Sequence, residues 1–388
     1  MSPLRLECLP GPAGLERLAP VWNTVVERAA LKHPFATHEW MRAWCATQID
    51  PERLRCFVVR AGDDVVAIAP LVERRGPAGL TLTRSGVSCA HTPRLDLIVA
   101  DGHDEAYRLL WQAIAPRGWS ESLELQDLDV NGPTFAAIHT LARRDGLLVG
   151  CHPTLEAPCI ALAGTWDDYY RGLPRERRDA LAKRLRRLSR LGDVRLETVR
   201  ERAALPEALD RAFQLEAAAW KYSAGTAILC RPELVRFYTE MAVGMADRGW
   251  LRLQFLTVGG ERVAFLFGLE YGRRLYSLKT GYDPAYSSYS PGQQLFQLAI
   301  REAFERGLDA FDLLGSRTAW KRHWTAQSAQ HYRVTVLPRT VAGRLAHAIR
   351  FQLIPGLRRS HLYQEYRARY RRPERHHAAG VRGRSERS

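Results

Sequence analysis

One internal repeat limits the folds that this chain can adopt. Residues 55–73, RCFVVRAGDDVVAIAPLVE, align without a gap with residues 252–270, RLQFLTVGGERVAFLFGLE, which lie 197 positions later. Each segment has two runs of β-forming residues around a glycine-centred turn, which is the pattern of a β-hairpin. The order that follows each hairpin also agrees: a strand ending in glycine, a helix, another glycine and a strand. We therefore expect two copies of one α/β unit.

The expected domain boundaries follow from this repeat and from the charge. A chain of 388 residues is too long for one ordinary domain. We expect a first unit over residues 1–155, a second over 156–338, and a basic, partly disordered tail over 339–388. The predicted fold class is α/β (α+β), with two mixed sheets flanked by helices. Additional helices are expected in the second unit at 165–192, 206–222 and 232–247.

The positive charge is concentrated at the end of the sequence. Residues 339–388 hold 13 arginines and three glutamates, which accounts for +10 of the formal net charge of +15. Such a tail either keeps the protein soluble or tethers it to an anionic membrane surface or to RNA. Within it, residues 341–357 have the composition of a short basic amphipathic helix. That helix is expected either to lie in a membrane interface or to pack on the body of the protein.

Several classes of protein are disfavoured. The longest apolar run, VVAIAPLV at 65–72, is too short to span a membrane, and the N-terminus has no apolar signal-peptide core. Seven cysteines without a CxxC pair suit a reducing compartment, so a cytoplasmic location is expected, or one at the inner face of the membrane. Two motifs resemble metal sites but lack ligands: DLDVNG at 127–132 and CHPTLEAPC at 151–159. We expect no metal.

The segment YDPAYSSYSPGQQLFQLAIREAF, residues 282–304, joins a loop rich in serine and tyrosine to a helical pattern. Ser290, Pro291 and Gly292 stand where the helix is predicted to begin, and the free amides of a first helical turn favour an anion. Glycine lets a phosphate approach the backbone, and serine hydroxyls add donors. The alternative is an ordinary helix start, with Ser290 as N-cap and Pro291 at the first position. The polar residues that precede the helix favour the phosphate site.

The longer stretch DPAYSSYSPGQQLFQLAIREAFERGLDAFDLLGSRTAWKRHW, residues 283–324, resembles the GNAT-type acyltransferases of the CelD-like group. These proteins are labelled cellulose-biosynthesis acetyltransferases and are related to the FemAB peptidyltransferases. The resemblance covers roughly 165–335 and, more weakly, 20–130, and it implies a tandem GNAT fold. It also implies that the residues of the loop and helix start bind the pyrophosphate of acyl-CoA: Tyr289, Ser290, Gly292, Gln293 and Gln294.

This resemblance implies an N- or O-acyltransferase that moves an acyl group, most simply from acetyl-CoA, to an amine or hydroxyl. A small molecule or a glycan of envelope polysaccharide biosynthesis is the expected acceptor. The FemAB relationship keeps open an aminoacyl transferase that uses aminoacyl-tRNA, and a non-catalytic scaffold of a polysaccharide machine is the third alternative. The first unit has TPRLDLIVADGHDEAY in place of the Ser-Pro-Gly loop. We infer that the first unit has lost the donor site and shapes the acceptor cleft.

Four side chains are candidates for the chemistry. Acyl transfer needs a nucleophile, a route for its proton and donors for the developing oxyanion. Asp312 ends a predicted strand and is a candidate to orient an amine, and Lys321 is a candidate to hold a phosphate or a carboxylate. Tyr282 and Tyr286 are candidate proton donors to the leaving group. The structural alternatives are a salt bridge at the strand end for Asp312 and a solvated helix lysine for Lys321.

The arginine-rich helix predicted within 165–192 has two interpretations. Its leucines fall on one side at helical spacing, which is typical of a helix docked on the body with a solvated basic face. Its arginines are also expected to attract an anionic substrate or cofactor.

Overall fold

A computed structural model describes residues 3–48, 50–76, 81–87, 93–94, 96–218 and 227–354. The strands in this part of the chain are β1 (Leu4–Pro10), β2 (Leu54–Ala61), β3 (Asp64–Arg75), β4 (Leu82–Gly86), β5 (Ile98–Val99), β6 (Glu121–Asp129), β7 (Leu148–Ala161), β8 (Val194–Val199), β9 (Leu251–Val258), β10 (Glu261–Tyr271), β11 (Arg274–Tyr282), β12 (Ala310–Asp312) and β13 (Ser328–Leu337). The helices are α1 (Gly11–Arg28), α2 (His38–Gln48), α3 (Ala106–Ile114), α4 (Pro133–Arg144), α5 (Trp166–Gly172), α6 (Arg175–Leu188), α7 (Leu205–Ala217), α8 (Pro232–Asp247), α9 (Pro291–Glu305), α10 (Ala319–Arg322) and α11 (Val341–Ala348).

The strands form one mixed sheet in the order β1-β2-β3-β4-β6-β13-β7-β12-β11-β10-β9-β8, with β5 paired to β3. Helices flank this sheet, so the predicted α/β class is confirmed. The two expected sheets are joined at β7, which pairs with β13 over most of its length and with β12 over residues 159–161. The expected boundary at 155 falls inside β7 and stays a prediction. β13, from the expected second unit, lies between β6 and β7.

The internal repeat corresponds to a repeated structure. Both aligned segments are antiparallel hairpins, β2–β3 and β9–β10. Their matched first and last residues form equivalent ion pairs, Arg55 to Glu73 at 3.4 Å and Arg252 to Glu270 at 2.8 Å. After each hairpin a strand runs parallel to its new neighbour, β4 to β6 and β11 to β12. The predicted repeat of one α/β unit is therefore confirmed.

One apolar core joins the two units. The buried faces of α1 and α2 pack with those of α7 and α8, where Trp40 contacts Phe237 edge-on with ring centroids 5.2 Å apart. The helices α2 and α8 approach closely at Gly244, because a Cβ there would lie 3.3 Å from the Cβ of Glu39. Burial of large aromatic side chains contributes most of the favourable free energy at such a contact. This shared core sets the position of the first unit against the second.

Two predicted helices docked on the body are present. The 165–192 segment is divided into α5 and α6 before Pro174, and Leu181 and Leu188 of α6 are buried as the docked-helix interpretation expects. The C-terminal helix α11 is followed by Phe351, whose ring packs on Gly150. The contact is so close that a Cβ on Gly150 would lie 2.2 Å from the ring. This segment therefore packs on the body. Residues 355–388 lie outside the described part of the chain. No described helix is both long and apolar enough to cross a membrane.

Candidate active site

The strands β11 and β12 separate soon after they meet. They pair in parallel only over residues 274–276 and 310–312, and β11 then continues to Tyr282 without β12. A cavity of about 300 Å³ opens between the end of β11, the start of α9 and Trp320. We call it the β11–α9 pocket. Its walls are formed by Phe265, Thr280, Gly281, Tyr282, Ser287, Ser290, Gly292, Gln293, Leu295, Phe296 and Trp320.

Ser290 has an unusual backbone at the edge of this pocket. Its φ of 52° and ψ of 57° place it in the left-handed region, which costs a residue other than glycine roughly 1 kcal/mol or more. Its carbonyl accepts from the amides of Gln293 and Gln294, at 2.9 and 3.2 Å. Ser290 is the N-cap residue and Pro291 the first helical residue, as the ordinary helix start predicts, but the Ser290 hydroxyl forms no capping bond. Strain of this kind is concentrated at functional sites.

Gly292 faces open space. A Cβ at this position would have Tyr282 Cδ1 as its nearest neighbour at 3.7 Å, which is an ordinary van der Waals distance. The fold therefore does not require glycine here. Among the described residues, none accepts a hydrogen bond from the Gly292 amide, which points out of the first turn of a 15-residue helix. Such an amide and the helix dipole together suit a phosphate.

The other three residues expected to bind the cofactor mainly contact α6. Gln293 lines the pocket, and its Oε1 accepts from Arg177 at 2.7 Å. Gln294 is buried, and its Nε2 donates to the Leu181 carbonyl at 3.2 Å. The ring of Tyr289 lies beneath a guanidinium of the same helix at 5.2 Å. The arginine-rich helix thus borders the start of α9.

Asp312 and Lys321 hold the backbone of Leu314 between them. Asp312 is fully buried, and its carboxylate accepts from the Leu314 amide at 2.9 Å and from the Arg94 guanidinium. Lys321 Nζ donates to the Leu314 carbonyl, and burial lowers the pKa of this lysine to about 8. Leu314 itself has a left-handed φ of 49°. Neither side chain lines the β11–α9 pocket, but Lys321 follows Trp320, which does.

The two candidate tyrosines differ in position. Tyr282 lines the pocket and is 39% exposed. Tyr286 belongs to the helical turn at Pro284–Tyr289 and packs against the apolar core of the second unit. The geometry therefore brings Tyr282, and not Tyr286, to the wall of the pocket.

A second cavity, which the sequence did not reveal, lies where the two units meet. It measures about 290 Å³ and we call it the polar cavity. Its walls are formed by Ala30, Leu31, Lys32, His33, Arg94, Asp96, Asp127, Asp129, Gly272, Arg274, Tyr276 and His331. Two signals were present: Asp127 and Asp129 belong to the motif that resembles a calcium loop, and Arg94 and Asp96 to the segment that replaces the donor loop.

The described residues contain no group of three or more His, Cys, Asp or Glu side chains arranged to hold a metal ion. This includes both motifs that resembled metal sites in the sequence.

A family model described as the acetyltransferase (GNAT) domain matches residues 175–322. The match begins with α6, ends with α10 and includes every residue that lines the β11–α9 pocket. Residues 175–322 form a GNAT-type acyltransferase domain. The expectation of an acyltransferase is therefore confirmed, whereas membership of the CelD-like group stays a prediction.

The fold is shared with solved structures of low sequence identity. The structure of FemX aligns with a TM-score of 0.58 at 10% identity, covering 84% of this chain and 97% of that one. The C-terminal domain of a putative lysylphosphatidylglycerol synthetase from Agrobacterium fabrum aligns with a TM-score of 0.50 at 14% identity, covering 83% and 92%. No curated protein matches the sequence. At these identities the alignments show a common fold.

Proposed function

We propose that this protein transfers an acyl group from acyl-CoA, most simply acetyl-CoA, to an amine or hydroxyl acceptor. The observation that carries the proposal is the start of α9 within the GNAT domain. There a strained Ser290, an amide without a partner and the open space over Gly292 face one pocket. The donor pyrophosphate would accept hydrogen bonds at this helix start.

The edge of β11 suits the rest of the donor. Beyond residue 276 the side of β11 that faced β12 has no strand paired to it among the described residues. An unpaired strand edge offers backbone donors and acceptors to an extended, amide-bearing chain such as the pantetheine arm of CoA. The acceptor nitrogen or oxygen would then attack the thioester carbonyl carbon. The C–S bond breaks, a base takes the proton of the nucleophile, and the thiolate leaves, with Tyr282 as the proposed proton donor.

An aminoacyl-tRNA donor is the second candidate, and α6 is the observation that favours it. Arg175 and Arg186 are exposed on the helix that borders the pocket, and Arg190 is exposed in the turn that follows this helix. A row of exposed arginines attracts a polyanion, and its binding weakens steeply with salt. One fold neighbour is named as a putative lysylphosphatidylglycerol synthetase, and a lysyl donor would suit the same kind of reaction. Acyl-CoA remains the first choice, because the matched domain family is described as acetyltransferases.

A thermal-shift comparison of the whole chain with acetyl-CoA, malonyl-CoA, a long-chain acyl-CoA and aminoacyl-tRNA tests the proposal. A donor at about 100 times its Kd raises the free energy of unfolding by about 2.7 kcal/mol. We expect acetyl-CoA to stabilise the protein, with little dependence on salt. Stabilisation by aminoacyl-tRNA alone would replace the first candidate with the second. No stabilisation by any of the four would contradict both.

A further inference from the structure

Several buried polar atoms of the polar cavity have no hydrogen-bond partner among the described residues. Five such atoms belong to its lining residues: His33 Nδ1, Arg94 Nε, Asp96 Oδ1, Asp127 Oδ1 and His331 Nε2. Each buried donor or acceptor without a partner costs a protein roughly 1–3 kcal/mol. Seventeen such atoms occur among the described residues and five of them surround this one cavity, a concentration that indicates a site filled by a polar ligand.

The ring of His331 is oriented as a base. Its Nδ1 lies 3.2 Å from the Ala329 carbonyl, which can only accept, so Nδ1 carries the proton and the lone pair is on Nε2. This residue is 1% exposed, and burial together with the charge of Arg94 lowers the pKa of the imidazole. The ring is therefore neutral near pH 7 and able to take a proton.

The buried unpaired atoms of the cavity are mainly acceptors. Asp96, Asp127 and Asp129 line it together with Lys32, Arg94 and Arg274, and both arginines pair with Asp312. Among the described residues, the unpaired acceptor atoms of Asp96, Asp127 and His331 outnumber the one unpaired guanidinium nitrogen of Arg94, so a complementary ligand donates several hydrogen bonds. A phosphate or carboxylate ion offers acceptors and would leave these atoms without donors.

The cavity is connected to the acyltransferase site through a chain of contacts. Arg94 reaches from the cavity to Asp312, which accepts from the Leu314 amide. The Leu314 carbonyl in turn accepts from Lys321, which follows the pocket residue Trp320. Tyr276, at the start of β11, also lines the cavity, and Tyr282, at the end of the same strand, lines the β11–α9 pocket.

We propose that the polar cavity binds the acceptor of the reaction, and that this acceptor is a small hydroxyl-bearing primary amine such as an amino sugar. The proposal rests on the proposed acyl transfer. His331 Nε2 takes a proton from the amine as its nitrogen forms a bond to the acyl carbonyl carbon, and the donor thiolate leaves. The carboxylates bind the hydroxyl groups and the remaining N–H. A volume of about 290 Å³ is at the lower end for ligand pockets, which suits a single sugar ring.

Binding is tested on the full chain without donor, with glucosamine as the probe. The imidazole nitrogen resonances of His33 and His331, assigned with His33→Gln and His331→Gln, are followed by ¹⁵N NMR. We expect both to shift on addition of glucosamine and neither to shift with glucose 6-phosphate, which carries an anion. Unchanged resonances with glucosamine would overturn the site.

Catalysis is tested by the release of CoA thiol from acetyl-CoA with glucosamine as acceptor. Loss of a general base lowers kcat by about 10²- to 10⁴-fold, so His331→Gln is expected to do this while the Kd for acetyl-CoA stays unchanged. His139→Gln, on α4 outside the cavity, is the matched control. Equal kcat in His331→Gln and wild type would overturn the role of His331. If the wild-type chain did not bind acetyl-CoA, the proposed donor would be contradicted instead. Failure of the proposed acceptor site and failure of the proposed donor are therefore distinguishable.

A separate observation concerns the C-terminal helix. Its apolar residues recur every fourth position and face away from the body: Val341 is 85% exposed, Leu345 61%, Ile349 40% and Leu353 57%. Four residues at this spacing form one stripe along a helical segment. The opposite side of the segment packs on the sheet through Phe351.

We infer that this stripe inserts into the interface of an anionic bilayer. Charge complementarity supports this occupant, because Arg339 and Arg344 accompany the stripe and residues 355–388 carry ten more arginines against three glutamates. Apolar insertion and attraction of basic residues to anionic lipid act together at such surfaces.

Co-sedimentation of the full chain with phosphatidylserine-containing vesicles, and with phosphatidylcholine vesicles, tests the second inference. We expect Leu345→Ser with Leu353→Ser to reduce binding about tenfold or more, because two apolar side chains no longer enter the lipid. Leu6→Ser with Val21→Ser changes two exposed apolar residues elsewhere and serves as the control. Equal sedimentation of both double variants would overturn the inference. The inference would also be overturned if light scattering showed that the wild-type chain is a dimer and that the Leu345→Ser, Leu353→Ser variant is a monomer, because the stripe would then be a dimer interface.

Discussion

Replacement of Gly292 by alanine is expected to weaken donor binding without lowering the stability of the fold. The new Cβ would lie 3.7 Å from Tyr282 Cδ1, and the backbone is not in the left-handed region, so the substitution introduces no clash. Alanine also has the higher helix propensity, which adds up to about 1 kcal/mol to the free energy of unfolding. A methyl group over the helix start would however hold a phosphate away from the Gly292 amide. Hydrogen bonds to a charged group contribute about 1.5–3 kcal/mol, so acetyl-CoA should bind about ten- to a hundredfold more weakly.

Two other glycines provide the controls. Gly281 lines the same pocket, but a Cβ there would lie 2.7 Å from the Leu215 carbonyl oxygen, so Gly281→Ala should lower the free energy of unfolding by about 1–3 kcal/mol. Gly172 ends α5 and has no atom within 4 Å of its ideal Cβ, so Gly172→Ala should leave donor binding unchanged.

Urea unfolding and isothermal titration with acetyl-CoA measure the two quantities for each variant. The expected result is a stable Gly292→Ala protein with weakened donor binding. Wild-type affinity for acetyl-CoA in Gly292→Ala would refute the assignment of the helix start to the pyrophosphate. A destabilised Gly292→Ala protein would refute the inference that the fold leaves this space open.

The buried network beside the pocket leads to two further predictions. Arg94→Met removes the nearer of two guanidinium groups from the buried carboxylate of Asp312 and should lower the free energy of unfolding in urea by about 3–5 kcal/mol. Arg94→Met combined with Asp312→Leu should recover most of that loss, and an equal loss in both variants would contradict the pairing. Burial lowers the pKa of Lys321 to about 8, below its value of about 10.4 in an unfolded chain. Between these two pH values the unfolded state binds more protons than the folded state. The contribution of Lys321 to the free energy of unfolding therefore rises with pH across this interval. Lys321→Met should remove this rise in the free energy of unfolding measured from pH 8 to 10, and an identical profile in both proteins would show that Lys321 is not buried.

The sequence predicted the features that depend on local pattern. The hairpins that contain Gly62 and Gly259, and the helix that begins after Ser290, were predicted because periodicity and turn residues act over a few positions. The left-handed backbone of Ser290 was not predicted, since Ser-Pro-Gly also suits an ordinary helix start. Gln294 was expected at the cofactor from the resemblance to GNAT-type acyltransferases, but helical rotation directs its side chain to the Leu181 carbonyl.

The polar cavity was not predictable for a different reason. His33, Arg94, Asp127 and His331 come from four distant segments, and each is unremarkable among its own neighbours. Only the sheet order and the shared core bring them together. The burial of Lys321 has the same origin, because a lysine on the four-residue helix α10 has no local sign of the Leu314 carbonyl that it meets.

The position of β13 has a consequence for how the protein is made. β6 and β7 are successive strands joined through α4, yet β13, the last strand along the chain, lies between them in the sheet. The end of β13 follows the end of β7 by 176 residues. At a synthesis rate of 5–20 residues per second, the two facing edges wait roughly 10–35 s for their partner. During that time β6 and β7 have complementary unpaired edges and are joined by a crossover helix, so pairing with each other is the nearest alternative. The nascent first unit must therefore keep a gap one strand wide, and a chain that closes this gap early has to reopen it before β13 can enter.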